Sequence, residues 1–230
     1  MIQNSRTLSH EEARVVYDRV GRRQDCHRFY EDPAVQRAVR EANLIGARSV
    51  FEFGCGTGRF AEMLLDQHLP PTAVYVGVDV SQTMVWVARQ RLARFGNRAQ
   101  VRLTSGSLRF DVMSAGFDRF LSNYVLDLLS VADIRELLDE AYRLLAPHGI
   151  LAVVGLTHGF TVASSMLVRA VLTIHAVRPS LVGGCRPLDL LEFIGEPKWR
   201  IRAHPKLTAF AVPSQVVVAQ KMEMCNREHR

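Results

Sequence analysis

The sequence predicts an α/β fold: a doubly wound sheet of seven strands, mostly parallel, ending in an antiparallel hairpin and preceded by an N-terminal helical cap. Three observations predict it. From Ser49 onward, short apolar runs rich in β-branched residues alternate with stretches of helical spacing. Such alternation implies a parallel sheet covered on both faces. The run Ser49–Phe53 leads straight into Gly54-Cys55-Gly56-Thr57-Gly58, and Phe60, Ala61, Leu64 and Leu65 then recur at helical spacing. That is a buried strand, a tight turn and a helix. Near the end, Trp199–His204 alternates apolar and polar, and Ser214–Ala219 is rich in valine with no helical stretch between them. Two strands so closely joined pair antiparallel.

Taken in order, the pattern places strands at 49–53, 73–79, 99–104, 117–122 and 149–155 and helices at 59–68, 82–95, 131–145 and 160–176. Before them, Ser9 with Glu12 three residues on is a capping box, so a helix runs from Glu11 toward Tyr17. A second helix is expected over Pro33–Leu44, where Ala34, Val35, Ala38, Val39 and Ala42 share a face. Ser130 with Asp133 starts the helix at 131, and Pro147 and Gly149 mark its end. The apolar stretch 160–177 contains Arg169 and His175 and several small polar residues. It is too interrupted to span a bilayer, which requires about 20 apolar residues. A core or lid helix is expected, with an interfacial helix as the alternative.

The glycine loop narrows the ligand. Glycines let the backbone turn sharply and approach a ligand closely, and the open N–H groups of the following helix attract polar or negative groups. A dinucleotide site requires Gly-x-Gly-x-x-Gly. Here the glycines are Gly54, Gly56 and Gly58, and Arg59 stands where the third is required. Downstream, Ala73–Asp79 is a second buried strand ending in a carboxylate about 20 residues after the loop, where a ribose diol is held in doubly wound sheets.

The loop after Glu52 resembles motif I of the class I S-adenosylmethionine (SAM) methyltransferases. GVDVSQTMVWVARQRL, residues 77–92, resembles the second motif of the same family, and FDRFLSNYVLDLL, residues 117–129, its fourth. Tyr17-Asp18-Arg19 resembles the tyrosine–aspartate element before motif I in relatives of the methyltransferase-11 or ubiquinone- and menaquinone-biosynthesis type. The resemblance covers roughly 49–155 and implies a Rossmann-like fold. It implies one domain over 1–230, made of a helical cap (1–48), a cofactor-binding core (49–155) and an acceptor-side region with the hairpin (156–230).

The cofactor is then SAM and the product S-adenosylhomocysteine (SAH). The implied cofactor contacts are Tyr17, Glu52, Gly54, Cys55, Gly56, Gly58, Asp79, Val80, Met84, Ser107, Leu108, Ser122 and Asn123. Ser105 and Ser107 stand where the family often carries an acidic residue toward the adenine amine. His158, at the carboxyl end of the fifth strand, and Tyr17 are the candidate catalytic residues, with Gln24, His27, Tyr30 and His175 as further acceptor contacts. An activated methyl needs no nucleophilic side chain and a base only where the acceptor must lose a proton. The expected acceptor is a small metabolite, partly apolar or weakly acidic, facing the 160–182 region rimmed by Arg169, Arg178 and Arg186.

Composition bounds the alternatives. The 230 residues carry a net charge of +6 and are 48% hydrophobic, sufficient for one sizeable core. The basic residues are scattered, without the basic–aromatic interleaving of a nucleic-acid face, and Ser122-Asn123-Tyr124-Val125 lacks the prolines of the tetrad in amino-directed base methyltransferases. A small-molecule acceptor is therefore expected and a nucleic acid is not. The four cysteines, Cys26, Cys55, Cys185 and Cys225, form no metal-binding spacing, so no metal is expected. With no signal-peptide pattern the expectation is cytoplasmic, and peripheral membrane contact and oligomeric state stay open. A non-catalytic SAM-binding partner protein, a nucleic-acid methyltransferase and an NAD-dependent oxidoreductase are the alternative readings.

Overall fold

The computed structural model describes residues 7–177 and 184–223, apart from the side chains of Arg22 and Ala176. Five parallel strands come first: β1 (Ser49–Phe53), β2 (Val74–Asp79), β3 (Ala99–Leu103), β4 (Phe117–Asn123) and β5 (Leu145–Leu156). Then β6 (Trp199–Ala203) and β7 (Lys206–Ala209) pair antiparallel with β8 (Val212–Lys221), which itself runs antiparallel to β5. The order is β3-β2-β1-β4-β5-β8-β6, and β7 also lies on β8. β6 and β7 lie end to end along β8, separated by His204-Pro205. Proline has no N–H for the ladder, so the sheet is seven strands wide with an interrupted edge. Strand order reverses between β1 and β4, and ligands of open α/β sheets bind in the crevice there.

Period-two alternation divides the core between two faces. Val50, Tyr75, Val101, Leu121, Ala152, Val216 and Val218 face the helices α2 (Arg28–Glu41), α3 (Arg59–Gln67) and α4 (Gln82–Leu92). Phe51, Val76, Phe120, Leu151, Val153 and Val217 face α5 (Val131–Leu144), which contributes Ile134, Leu137, Leu138 and Ala141. Both expected capping boxes form: Ser9 with Glu12 opens α1 (His10–Val20), and Ser130 with Asp133 opens α5.

The N-terminal segment is not a uniform cap. α1 leaves each of its residues at least partly exposed, Tyr17 included, whereas α2 places Ala34, Val35, Ala38 and Val39 in the core. Arg119 of β4 holds the end of α2, donating from Nε to the Ala42 carbonyl at 2.7 Å and from Nη2 to that of Asn43 at 2.6 Å. A cation at a helix C-terminus satisfies otherwise orphaned carbonyls. α2 begins at Arg28 rather than Pro33, because a 3-10 turn over Gly21–His27 already carries the helical path and Pro33 sits inside the helix.

Two other expectations need correction. β5 starts at Leu145, directly after α5, and its pairing with β4 jumps from Leu145 to Ile150 across the turn containing Pro147 and Gly149. The stretch read as a core or lid helix forms α6 (Val162–Val177), and its core alternative fails: Val162, Met166, Leu172, Ile174 and Val177 are exposed, and among its described side chains only Ser164 and His175 are buried. Among the described residues, no helix is long and apolar enough to cross a membrane.

Candidate active site

A cavity of about 180 Å³ opens above the carboxyl ends of β1, β2 and β4. Its floor is the bend after β1. Gly54, Gly56 and Gly58 all have positive φ, at 75°, 53° and 74°. A Cβ on Gly54 would stand 2.3 Å from Cγ2 of Val125, whereas one on Gly56 would meet nothing within 4 Å, since Gly56 faces the open cavity. Gly58 does a different job. Its missing Cβ lets α3 approach α4, where it would come within 3.0 Å of Ala88 Cβ. Gly58 therefore packs helices and does not line the cavity.

Asp79 ends β2 and lines the cavity. Its Oδ2 accepts from the Gly56 N–H at 2.8 Å and its Oδ1 from the Ser81 N–H at 2.9 Å. Burial raises its pKa against these bonds. An ionised carboxylate offers about four lone-pair sites, so about two remain for a diol. Ser81 caps α4 through the Met84 N–H at 3.1 Å, and its hydroxyl donates to Asp18 of α1 at 2.6 Å. The tyrosine–aspartate element is thus split: Asp18 fastens α1 to α4, and Tyr17 lines the cavity.

Glu52 lies buried on β1, accepting from the hydroxyl of Tyr75. The side chain of Tyr75 occupies the space beside Gly77, where a Cβ would sit 2.5 Å from its hydroxyl. Burial pushes the Glu52 carboxyl up to about 8, partly offset by Tyr75 and Asn123, while the charge of Asp79 adds to the rise. Asn123 Nδ2 is buried close to Glu52 but outside hydrogen-bond geometry, and Asn123 lines the same cavity. Tyr124 follows with φ 55°, a strained conformation for a bulky residue, held by its N–H to Val154 at 2.7 Å and its hydroxyl to Ser214 at 2.8 Å.

Of the remaining expected contacts, Cys55, Val80, Met84 and Leu108 line the cavity and three residues do not. Ser122 is buried between strands, donating to the Phe53 carbonyl at 3.1 Å. Ser107 is exposed and closes its own turn, accepting from the Arg109 N–H at 3.2 Å, while Thr104, Gly106 and Leu108 form the lining beside it. His158 is exposed and outside the cavity. Thr157 is the buried neighbour, its N–H bonded to the Pro213 carbonyl at 3.1 Å, and the next side chain turns to solvent.

Of the expected arginine rim, the two described residues, Arg169 and Arg186, do not line the cavity. Arg186 is buried, donating from Nη2 to the Leu129 carbonyl and from its N–H to that of Asp127. Arg169 is exposed on α6, and Arg178 lies outside the described residues, as does Cys225.

Sequence reasoning missed several lining residues. Asp25 accepts from Thr57 Oγ1 at 2.6 Å and from Arg91 Nη2 at 2.7 Å, clamping the 3-10 turn to the glycine loop. Glu31 and Val35 enter from α2, and Leu128 and Leu129 from the segment after β4. No pattern marks Glu31, which stands in a polar first turn. Among the described residues no group of three or more metal-ligating side chains occurs.

Comparison with known proteins agrees with this geometry. Residues 51–151 match the family model of a methyltransferase domain. A carboxy-S-adenosyl-L-methionine synthase of Trichodesmium erythraeum is 32% identical over 107 residues, 45% of this chain and 40% of that protein. A demethylmenaquinone methyltransferase of Tropheryma whipplei is 33% identical over 131 residues, 56% of this chain and 51% of its own length. The chain therefore spans about half the length of the relatives it matches. Among solved structures, the N-methyltransferase NodS of Bradyrhizobium japonicum in complex with SAH superposes with a TM-score of 0.58 at 17% identity, over 84% of this chain and 88% of NodS. Residues 51–151 are thus similar to a methyltransferase domain, and the chain shares its fold with SAM-dependent methyltransferases such as NodS.

The residues present fit SAM. Gly56 leaves open space, Asp79 keeps acceptor capacity for a diol, and Asn123 offers a buried unpartnered amide.

Proposed function

We propose that the protein transfers a methyl group from SAM, by in-line displacement, to a nucleophilic atom of a small, partly apolar metabolite. The observation that carries this reading is the carboxylate of Asp79, fixed by two backbone amides beside a glycine bend whose middle glycine faces open space. When bound, SAM supplies a methyl already activated on a sulfonium. Asp79 would hold the ribose diol, with the chain of Gly54–Gly56 beside the amino-acid tail and Val80, Met84 and Leu108 around the base. Asn123 would donate to the tail's carboxylate. Tyr17, Ala13 and His10 of α1 close the outer side, where they exclude water and strengthen the electrostatics within. Burial keeps the Tyr17 phenol protonated, so it acts here as a positioning residue rather than a base.

Titration calorimetry with SAM, SAH and NAD tests the reading. SAM and SAH are expected to bind in the micromolar range and NAD not at all; binding of NAD alone overturns it. Transfer of a labelled methyl to any member of an acceptor panel separates an enzyme from a SAM-binding partner protein.

A further inference from the structure

The geometry points to an amine as the acceptor: we propose that the cavity takes an apolar, protonated amine and that Glu31 is the carboxylate that receives its proton before methyl transfer. This rests on the methyltransferase reading and deepens it.

Part of the cavity lining is acidic and aromatic. Glu31 enters from the first turn of α2, with Tyr17, Phe60 and Tyr124 in the same wall. Tyr30 stands edge-on to Tyr124 at 6.0 Å between ring centroids. Behind them lies Asp127, fully buried, with neither carboxylate oxygen at hydrogen-bond geometry to a partner. Its flanking residues Tyr124, Val125, Leu128 and Leu129 all line the cavity, and its charge acts on Tyr17, Tyr30 and Glu31. A buried carboxylate with no donor is costly unless something positive comes near it.

The nearby cations offset this field only in part. Arg59 reaches the lining but is held by Asp32 at 2.6 Å. Arg186, with Nη2 on the Leu129 carbonyl and Nε without a partner, lowers the pKa of Asp127, yet burial still pushes that carboxyl up to about 7. The groups facing Glu31 are His27 at 3.9 Å from the preceding turn, Tyr30 and Asp32 on α2, Arg59 on α3, and Asp127 after β4. Burial is the main cause that pushes Glu31 up to about 7; Arg59 opposes the rise and Asp127 adds to it. Carboxylates beside aromatic faces are the chemistry that recognises an ammonium. An anionic acceptor would meet like charge.

The step balances. One N–H proton of the ammonium passes to the Glu31 carboxylate. The freed nitrogen lone pair forms the N–CH₃ bond as the S–CH₃ bond breaks, the bonding electrons stay on sulfur, and the positive charge ends on the methylated nitrogen. Glu31 then returns its proton to solvent.

The test uses the full chain saturated with SAH and three probes of similar shape: phenethylamine, 2-phenylethanol and 3-phenylpropionate. Calorimetry is expected to show phenethylamine binding at least tenfold tighter than the other two. Its affinity is expected to fall as the pH drops from 8 to 6, as Glu31 takes up a proton. Glu31→Gln is expected to erase the preference while SAH affinity stays within twofold. In the wild type with SAM, mass spectrometry is expected to find the methyl on nitrogen. Equal or tighter binding of the alcohol or the carboxylate overturns the proposal, as does a preference that survives Glu31→Gln or ignores pH. If SAH itself does not bind, the underlying methyltransferase reading has failed instead.

Discussion

The two ends of one cavity are built by different means. At the donor end the shape is set by backbone: the left-handed Gly54 and Gly56, two amides that fix the Asp79 carboxylate, and a short turn at Thr104–Leu108. At the acceptor end they are side chains from separated segments, Tyr17, Glu31 and Tyr124, over the buried Asp127. Backbone shape constrains local sequence tightly, because few residues tolerate positive φ. A wall of side chains from α1, α2 and the end of β4 constrains it hardly at all. The difference teaches which end of the cavity local sequence pattern can specify and which end it cannot.

The harshest way to break this comparison is Gly54→Ala. The new Cβ would stand 2.3 Å from Val125 Cγ2 at a φ of 75°. Left-handed backbone costs an L-residue about 1–2 kcal/mol, and the overlap adds about 1–3 kcal/mol. The expected outcome is loss of measurable SAH binding and a stability loss of roughly 2–5 kcal/mol by urea unfolding. Unchanged binding would mean that the bend is not the donor floor. Asp79→Ala is milder, because it leaves the bend in place but unpairs the N–H groups of Gly56 and Ser81. Hydrogen bonds to a charged group contribute about 1.5–3 kcal/mol, so SAH affinity by calorimetry is expected to drop on the order of 10- to 150-fold.

The glycine bend, the alternation of strands and helices and both capping boxes were readable because each is a local pattern with a mechanical cause. Ser9, Ser130 and Asp79 all sit where spacing alone places them. The acceptor end was not readable. Nothing in Phe29-Tyr30-Glu31-Asp32 separates the carboxylate that enters the cavity from the one that pairs with Arg59. His158 looked well placed because it follows β5, but strand alternation after the buried Thr157 turns it outward. Arg186 looked like an acceptor contact, but carbonyls of its own fold occupy it.

A pH titration of stability sharpens the same contrast. Glu52 is pushed up to about 8 and Glu31 and Asp127 to about 7, in each case mainly by burial. These carboxyls bind protons more tightly in the folded chain than when unfolded, where they titrate at about 4–4.5. Their contribution is complete below that range and is lost as the pH rises to about 8. Thermal unfolding without ligand is therefore expected to give a melting temperature that falls from pH 5 to 8. The carboxyls held low, Asp18, Asp25, Glu140 and Asp189, titrate below that window. Glu52→Gln is expected to flatten the slope at its upper end, and a melting temperature that climbs with pH would contradict the burial argument.

The smallest expected effect is the most discriminating one for the donor end. Ser107 stands where the family places a side chain on the adenine, yet it is exposed and closes a turn with Arg109. Thr104 and Leu108, on either side, line the cavity. If the base is held there by backbone shape and the buried Leu108, removing the Ser107 hydroxyl removes nothing that touches it. Ser107→Ala is then expected to leave SAH affinity within twofold, while Leu108→Ala loses about 2 kcal/mol of burial energy and weakens SAH binding on the order of tenfold. A large loss in Ser107→Ala with little in Leu108→Ala would reverse the assignment, because side-chain chemistry would then govern both ends of the cavity.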